Sequence, residues 1–357
     1  MYQDPFKEYI KQSEPNKRDK GYAWSTAIGL QAVDGLEPSE HLVKTAIENI
    51  EGYISMEDAE KRINSYYETV SKKEEDDRTE EADKVSVRIA AILSGKAFTF
   101  SPSEYIGIHK KLFSGIYKHA GKIRDYNITK KEWVLDGATV LYGNAAELRQ
   151  TLEYDFEQEK KFSYKGLSTD EIIEHLAFFV SRLWQIHIFG EGNTRTTAVF
   201  FIKYLRSLGY DATNDIFAEN AWYFRNALVR ANYNNLKENV HETTVYLEKF
   251  IRNLLLNESN ELKNRYLHIK NIFEEKEDEN VGVNDKNVGV NVGVKLNKTQ
   301  RKIVELLKNN PNSTIEEMAK YAEVEPRTIE RNIKALKEKN VIDRVGADKN
   351  GHWIVKI

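Results

Sequence analysis

The sequence predicts a mainly α-helical protein with a small, separate C-terminal domain. Apolar side chains recur at helical spacing through 103–117, 168–184, 198–208 and 220–230. Strand-like alternation is confined to two short stretches, 132–142 and 341–357. Between residues 257 and 296 polarity rises and the tetrapeptide Asn-Val-Gly-Val occurs three times, at 280–283, 287–290 and 291–294. Such a Gly-punctuated repeat reads most simply as a tether. Its alternating valines could instead form a sheet edge or pair with a second copy of the chain.

Taken in chain order, the N-terminal region holds Thr26-Ala-Ile-Gly-Leu-Gln-Ala-Val-Asp-Gly35, then two helical stretches through Tyr67. The acidic run Lys72 to Asp83 reads as a solvated joint or a helix end ahead of the next region. A helix over 103–117 contains His109, whose place in the apolar pattern marks it as structural. Residues 132–142 flank the pair Asp136-Gly137 with β-prone side chains, which predicts a hairpin. Ser168-Thr-Asp-Glu171 is a capping sequence for a buried helix that delivers His187 at its C-terminal end. Another helix follows from Ala198 to Leu208, with Gly209 as its stop.

The nine residues His187-Ile-Phe-Gly-Glu-Gly-Asn-Thr-Arg195 lie between those helices. Gly190 and Gly192 let successive backbone N–H groups point into one concavity, and the next helix adds its unpaired first-turn donors. The product is an anion cradle suited to phosphate. A neutral imidazole beside it can accept a proton from an attacking hydroxyl, and Glu191 offers the hard oxygen that Mg²⁺ takes alongside phosphates. The other histidines show no paired metal-ligand spacing, which argues against a transition-metal site.

This stretch resembles the signature loop of the Fic family, HPFx[DE]GNGRxxR, and the resemblance extends over roughly 85–255. It implies a Fic-type helical bundle that moves the AMP part of ATP onto a Ser, Thr or Tyr hydroxyl of a target protein. On that reading His187 is the general base, Glu191 the Mg²⁺ ligand and Asn193 a donor to the α-phosphate. Gly190, Gly192 and Thr194 give backbone to the cradle, and Arg195 pairs with the β-phosphate. In the family the helix around 220–230 passes near the nucleotide base. Tyr223 and Asn226, which share a face, are therefore either base contacts or core.

The hairpin would be the family's target-docking flap, with Trp133, Val134 and Leu135 aligning an extended target segment over His187. A plain two-stranded ribbon explains the same residues. Three positions depart from the family pattern: Ile188 stands for proline, Thr194 for glycine, and Ala198 for the second arginine, which in the family grips the γ-phosphate and receives an inhibitory glutamate. The inhibitory helix, commonly [ST]xxxE[GN], has its counterpart in Leu30-Gln-Ala-Val-Asp34-Gly35, with no hydroxyl and a shorter carboxylate. Either the lock is absent, or a weakened one has Asp34 reaching Arg195, or Asp34-Gly35 is merely a helix cap and turn.

Beyond the tether, helices are expected at Lys298–Lys308, Thr314–Ala322 and Pro326–Lys339, followed by two strands around Asn350-Gly351. Three helices and a hairpin resemble a winged helix-turn-helix. Residues 297–357 carry 13 Lys and Arg against 9 Asp and Glu, a local charge of +4 within a chain of −3. By fold analogy Arg327, Thr328, Arg331, Asn332 and Lys334 would face a DNA major groove, with Lys349 on the wing near a phosphate. Winged helices also serve as protein-binding or dimerising modules, and a homodimer is open.

The expected organisation is an N-terminal helical region over 1–84, a catalytic domain over 85–256, a linker over 257–296 and the small domain over 297–357. The 357 residues contain no cysteine, which excludes disulfides, thiolate nucleophiles and zinc–cysteine sites. No N-terminal apolar run and no long apolar span occur, so a cytoplasmic location and no membrane span are expected. Two function classes follow. One is a transferase, using ATP or, given Ala198, another nucleotide or diphosphate donor. The other is a DNA-binding regulator whose Fic core senses a nucleotide.

Overall fold

The computed structural model describes residues 5–11, 14–69, 74–212, 216–270, 298–311, 313–322, 324, 326–338, 341–345 and 352–356. They fall into two compact units, Met1–Lys276 and Glu277–Ile357. The first is helical, as expected. Its elements are α1 (Lys7–Lys11), α2 (Pro15–Gly29), α3 (Glu40–Glu51), α4 (Met56–Thr69), α5 (Glu74–Ser94), α6 (Pro102–Phe113), α7 (Leu148–Lys161), α8 (Thr169–Ile186), α9 (Asn193–Ser207), α10 (Ile216–Arg230) and α11 (Val245–Leu256).

Helix α9 is the axis of this unit. Every residue from Asn193 to Leu205 is buried, so it has no solvent face, as expected of a helix enclosed by others. It packs against α5, α6 and α8. A capping box starts α8: Ser168 Oγ accepts from Glu171 N at 3.3 Å, and Glu171 Oε2 accepts from Ser168 N at 2.7 Å. Its apolar stripe, Ile173, Leu176, Val180, Leu183 and Trp184, is buried against the bundle.

The N-terminal helices belong to the same bundle. Gly29 ends α2 against α10, where a side chain cannot fit: a Cβ there would lie 2.3 Å from Ala218 Cα and 2.5 Å from its carbonyl oxygen. A short 3-10 turn, Leu30–Asp34, follows and is closed by Gly35 at φ 65°. From Glu74 onward the acidic run belongs to α5, as a helix end rather than a solvated joint, and α5 packs on α2, α4, α6 and α9. Its apolar residues Ala82, Val85, Ile89 and Leu93 are buried and hold the acidic end against the core.

Residues 132–142 correct the hairpin expectation: they form no strands. Trp133–Leu135 is a 3-10 turn, with Asp136 at φ 54° and Gly137 at φ 85° turning the chain back so that Glu132 N donates to Ala138 O at 2.9 Å. The linker expectation is corrected at its start. Leu267 and Ile269 are buried in the core, and Ile269 N donates to Val134 O at 3.0 Å. The Asn-Val-Gly-Val repeats lie outside the described residues.

In the second unit α12 (Lys298–Asn309), α13 (Ile315–Ala322) and α14 (Pro326–Glu338) enclose a core with Ile303, Leu307, Met318, Ile329, Leu336 and Trp353. Strands β1 (Ile342–Val345) and β2 (His352–Val355) pair antiparallel, with Ile342 opposite Val355 and Val345 opposite His352. Thr314 caps α13 reciprocally with Glu317, as the sequence indicates. On α14 Lys334 is exposed and Thr328 half-buried. Asn332 is buried, donating Nδ2–H to Thr328 O at 2.8 Å, so it faces the domain core rather than a groove. The side chains of Arg327 and Arg331, all of Lys349, and the turn at Asn350-Gly351 lie outside the described residues.

Gly29→Ala should force α2 off α10 and cost about 1–3 kcal/mol, lowering the melting temperature by roughly 2–10 °C. Thermal unfolding at the native temperature would show that the two backbones are not in contact.

Candidate active site

Helix α8 ends at His187, which adopts the left-handed conformation (φ 50°, ψ 54°) and donates its N–H to Trp184 O at 3.1 Å. A non-glycine residue costs about 1 kcal/mol there, so the surroundings must hold it. The ring is 4% exposed, edge-on to Trp184 at 5.1 Å and tilted against Tyr142 at 4.4 Å. Nδ1 lies 3.2 Å from Trp184 O. A carbonyl only accepts, so Nδ1 carries the proton and Nε2 keeps a bare lone pair. Burial pushes the imidazole well below its ordinary 6.5, and the charges of Lys130, Arg225 and Arg124 press in the same direction.

Three buried side chains fix the loop after it. Arg124 donates Nε–H to His187 O at 2.7 Å and Nη2–H to Gly143 O at 2.6 Å, and also bonds Tyr126 O. Asn193 grips Phe189 at both ends, accepting from its N–H at 3.0 Å and donating to its carbonyl at 2.8 Å. His109 Nδ1 accepts from Gly121 N at 2.9 Å, so Nε2 bears the proton and donates to Glu191 O at 3.0 Å. Its ring stacks on Phe189 at 3.7 Å, and burial lowers its pKa to about 4. Gly192 is required at φ 74°, where a Cβ would lie 2.4 Å from the Phe113 ring. Thr194 does not cap α9; its Oγ1 accepts from Trp184 Nε1 at 3.0 Å. Among the described residues no acceptor meets the backbone N–H groups of Gly190 through Arg195. These donors lie at and just before the start of α9, where a helix leaves its first N–H groups unpaired.

Arg195 is 1% exposed and enclosed by charge. Its Nη2 donates to Glu81 Oε1 at 2.5 Å and lies 3.2 Å from the Tyr117 hydroxyl, while Nη1 donates to Gln31 Oε1 at 2.9 Å. Asp34 Oδ2 approaches Nε to 2.8 Å but off the N–H direction, leaving Nε without a hydrogen bond; the contact is an ion pair. Phe113 covers the guanidinium at 4.8 Å. Asp34 therefore reaches Arg195, and Gly35 caps the turn that carries it. Glu81, Gln31 and Tyr117 were missed by sequence reasoning, as was Arg124. Helical periodicity carried back through the acidic run to Glu74 would have put Glu81 on a buried helix.

Tyr223 and Asn226 face inward: the Tyr223 hydroxyl donates to Tyr246 O at 3.2 Å, and Asn226 Nδ2 to Asn264 Oδ1 at 2.7 Å. The side of α10 that acts on His187 carries Arg225 instead, stacked on Trp222 at 5.0 Å and paired with buried Glu132 at 2.7 Å. Glu132 also accepts from the Tyr142 hydroxyl at 2.9 Å, so the residue packed on His187 is anchored in turn. Of the three residues expected in a flap, Trp133 is open at 48% exposure, whereas Val134 and Leu135 are core. His268 meets Trp133 edge-on at 4.9 Å.

Glu191 lies at the rim, its side chain 57% exposed and 3.2 Å from Lys130 Nζ. Among the described residues no three His, Asp or Glu side chains converge as a metal cage. Mg²⁺ commonly takes one or two protein carboxylates and completes its shell with phosphate and water oxygens, so Glu191 fits as a single protein ligand.

Because the folded chain keeps His187 and His109 neutral, protonation below the ordinary value of 6.5 favours the unfolded chain. Stability should fall as pH drops from 6.5 to 5, by up to about 1.4 kcal/mol per unit for each ring. His187→Gln should flatten that slope in pH-dependent urea melts; an unchanged slope would show that the ring is hydrated.

Residues 99–205 match the family model described as Fic/DOC family, and residues 299–352 match one described as HTH domain. The protein adenylyltransferase VbhT of Bartonella schoenbuchensis is 31% identical over 103 residues, 29% of this chain. The matched segment spans 20% of that relative's length. No helix among the described residues is long and apolar enough to cross a membrane. The helical unit thus carries a Fic/DOC-family domain at 99–205, built around the His187 loop, and the C-terminal unit is an HTH domain.

Proposed function

We propose that this chain is a Mg²⁺-dependent protein adenylyltransferase of the cytoplasm, moving AMP from ATP to a Ser, Thr or Tyr hydroxyl of a target protein or of itself. The observation that carries it is the bare Nε2 of His187 beside the unpaired amides of Gly190 to Arg195. His187 accepts the hydroxyl proton as the hydroxyl oxygen bonds the α-phosphorus. The bond from α-phosphorus to the bridging oxygen breaks, and pyrophosphate leaves with the electron pair. The amides of Gly190, Glu191, Gly192, Thr194 and Arg195 take phosphate oxygens. Asn193 has one Nδ2–H committed to Phe189 and offers the other to the α-phosphate. Mg²⁺ held by Glu191 would neutralise phosphate charge. Trp133 is the flap residue open to a target. The interior contacts of Tyr223 and Asn226 favour core roles over base contacts.

Arg195 can reach the β-phosphate only after releasing Asp34 and Glu81. Asp34 and its turn accordingly act as an inhibitory latch, with Glu81 as its second carboxylate. That enclosure, together with buried Ala198 in place of a second arginine, favours a second reading in which the core binds a nucleotide and transfers little, or uses a different nucleotide or diphosphate donor. The HTH domain and the basic C-terminal stretch support DNA binding through α14, with Arg327, Thr328, Arg331 and Lys334 as contacts.

Incubation with α-labelled ATP and Mg²⁺ should label protein, and His187→Ala should abolish it; nucleotide binding with no label would favour the sensor. Asp34→Ala should raise self-labelling several-fold, and an unchanged rate would remove the latch. In a mobility-shift assay the full chain should retard duplex DNA, and Lys334→Glu should weaken retardation at low salt. No retardation would assign the domain to protein contacts.

A further inference from the structure

Resting on the transferase reading, we infer that Lys130 is a phosphate-contacting residue of this site, supplying the cationic charge that the loop's own arginines do not. Four cationic side chains act on His187 and its loop, and three are already committed. Arg124 is buried and bonds carbonyls. Arg195 is enclosed by Asp34 and Glu81. Arg225 is paired with buried Glu132. The position where the loop pattern would carry a further arginine is Ala198.

Lys130 differs from all of these. Its side chain is 30% exposed and pairs with Glu191, itself 57% exposed, at 3.2 Å. Its backbone is tied down, because Lys130 N donates to Thr139 Oγ1 at 3.3 Å. The ammonium stands beside Glu191 at the rim of the loop, and its charge also opposes protonation of His187. An exposed ion pair of this kind is worth at most about 1 kcal/mol, so it opens at little cost.

Glu191 and Lys130 are thus complementary halves of one receptor. When Glu191 turns to a cation held on the phosphates, Lys130 loses its carboxylate and takes a phosphate oxygen as its new counter-ion. A compact ammonium with three rotatable donors suits a phosphate whose orientation changes as the bond breaks. The ligand class is a nucleoside di- or triphosphate, recognised beyond its α-phosphate.

Calorimetric titration of the full chain with ATP and with AMP, each in Mg²⁺ and in EDTA, tests this without relying on turnover. Lys130→Met should weaken ATP binding about tenfold to a hundredfold, the range for a hydrogen bond to a charged group, and leave AMP binding unchanged. The loss should shrink in EDTA, where Glu191 stays on Lys130, and Lys130→Arg should recover most of the affinity in Mg²⁺. If Lys130→Met binds ATP as tightly as the native chain or tighter, Lys130 only neutralises Glu191 and the inference falls alone. If the native chain takes up neither nucleotide, the transferase reading falls and this inference with it.

Discussion

The enclosure of one guanidinium organises this molecule. Arg195 sits in the first turn of the central helix α9 at 1% exposure, where an unpaired charge would cost several kcal/mol. Its compensation comes from three places far apart in sequence: Gln31 and Asp34 on the turn after α2, Glu81 on α5, and Tyr117 after α6. Tyr117 donates in turn to Glu81 at 2.6 Å, and Arg78 Nη2 holds the Asp34 carbonyl at 2.9 Å. The N-terminal helices cannot dock elsewhere without exposing that charge to an apolar interior. Gly29 against Ala218 provides the steric half of the same docking.

A consequence is that stability and chemistry compete for Arg195. Two carboxylates on one guanidinium leave those three groups net negative, which opposes the approach of any anion to Arg195. Any anion reaching Arg195 must displace both Asp34 and Glu81. The cradle itself is free of this conflict, because its donors are backbone amides whose orientation is set by Asn193, Arg124 and His109. Under the proposed transfer, recognition by the loop and activation through Arg195 would therefore be physically separable.

What the sequence disclosed follows from how local each signal is. The His187 loop was legible because nine consecutive residues carry it, and α12, α13 and α14 because caps and apolar spacing are local. Asp136-Gly137 does turn the chain with two positive φ angles, yet it closes a 3-10 turn rather than a hairpin. Val134 and Leu135 both point into the core, and only burial, a tertiary property, distinguishes that from alternation. Glu81 looked like part of a solvated acidic run, since nothing near it in sequence announces Arg195. The start of the presumed tether was misjudged for the same reason: Leu267 and Ile269 find their partners around Val134.

The protonation of His187 bears on how any transfer here must proceed. Burial and three nearby positive charges make its ring a weak base, so it cannot deprotonate a hydroxyl in advance. It can accept the proton only as the oxygen bonds phosphorus and becomes acidic. A loose phosphoryl-transfer transition state asks little of the base and much of alignment. The site's construction agrees with that division. The imidazole is held in a strained backbone conformation, its tautomer fixed by Trp184 and its ring packed against Tyr142, whose hydroxyl donates to Glu132, itself paired with Arg225. What these contacts provide is position, and in the proposed transfer position is what a weak base would need most.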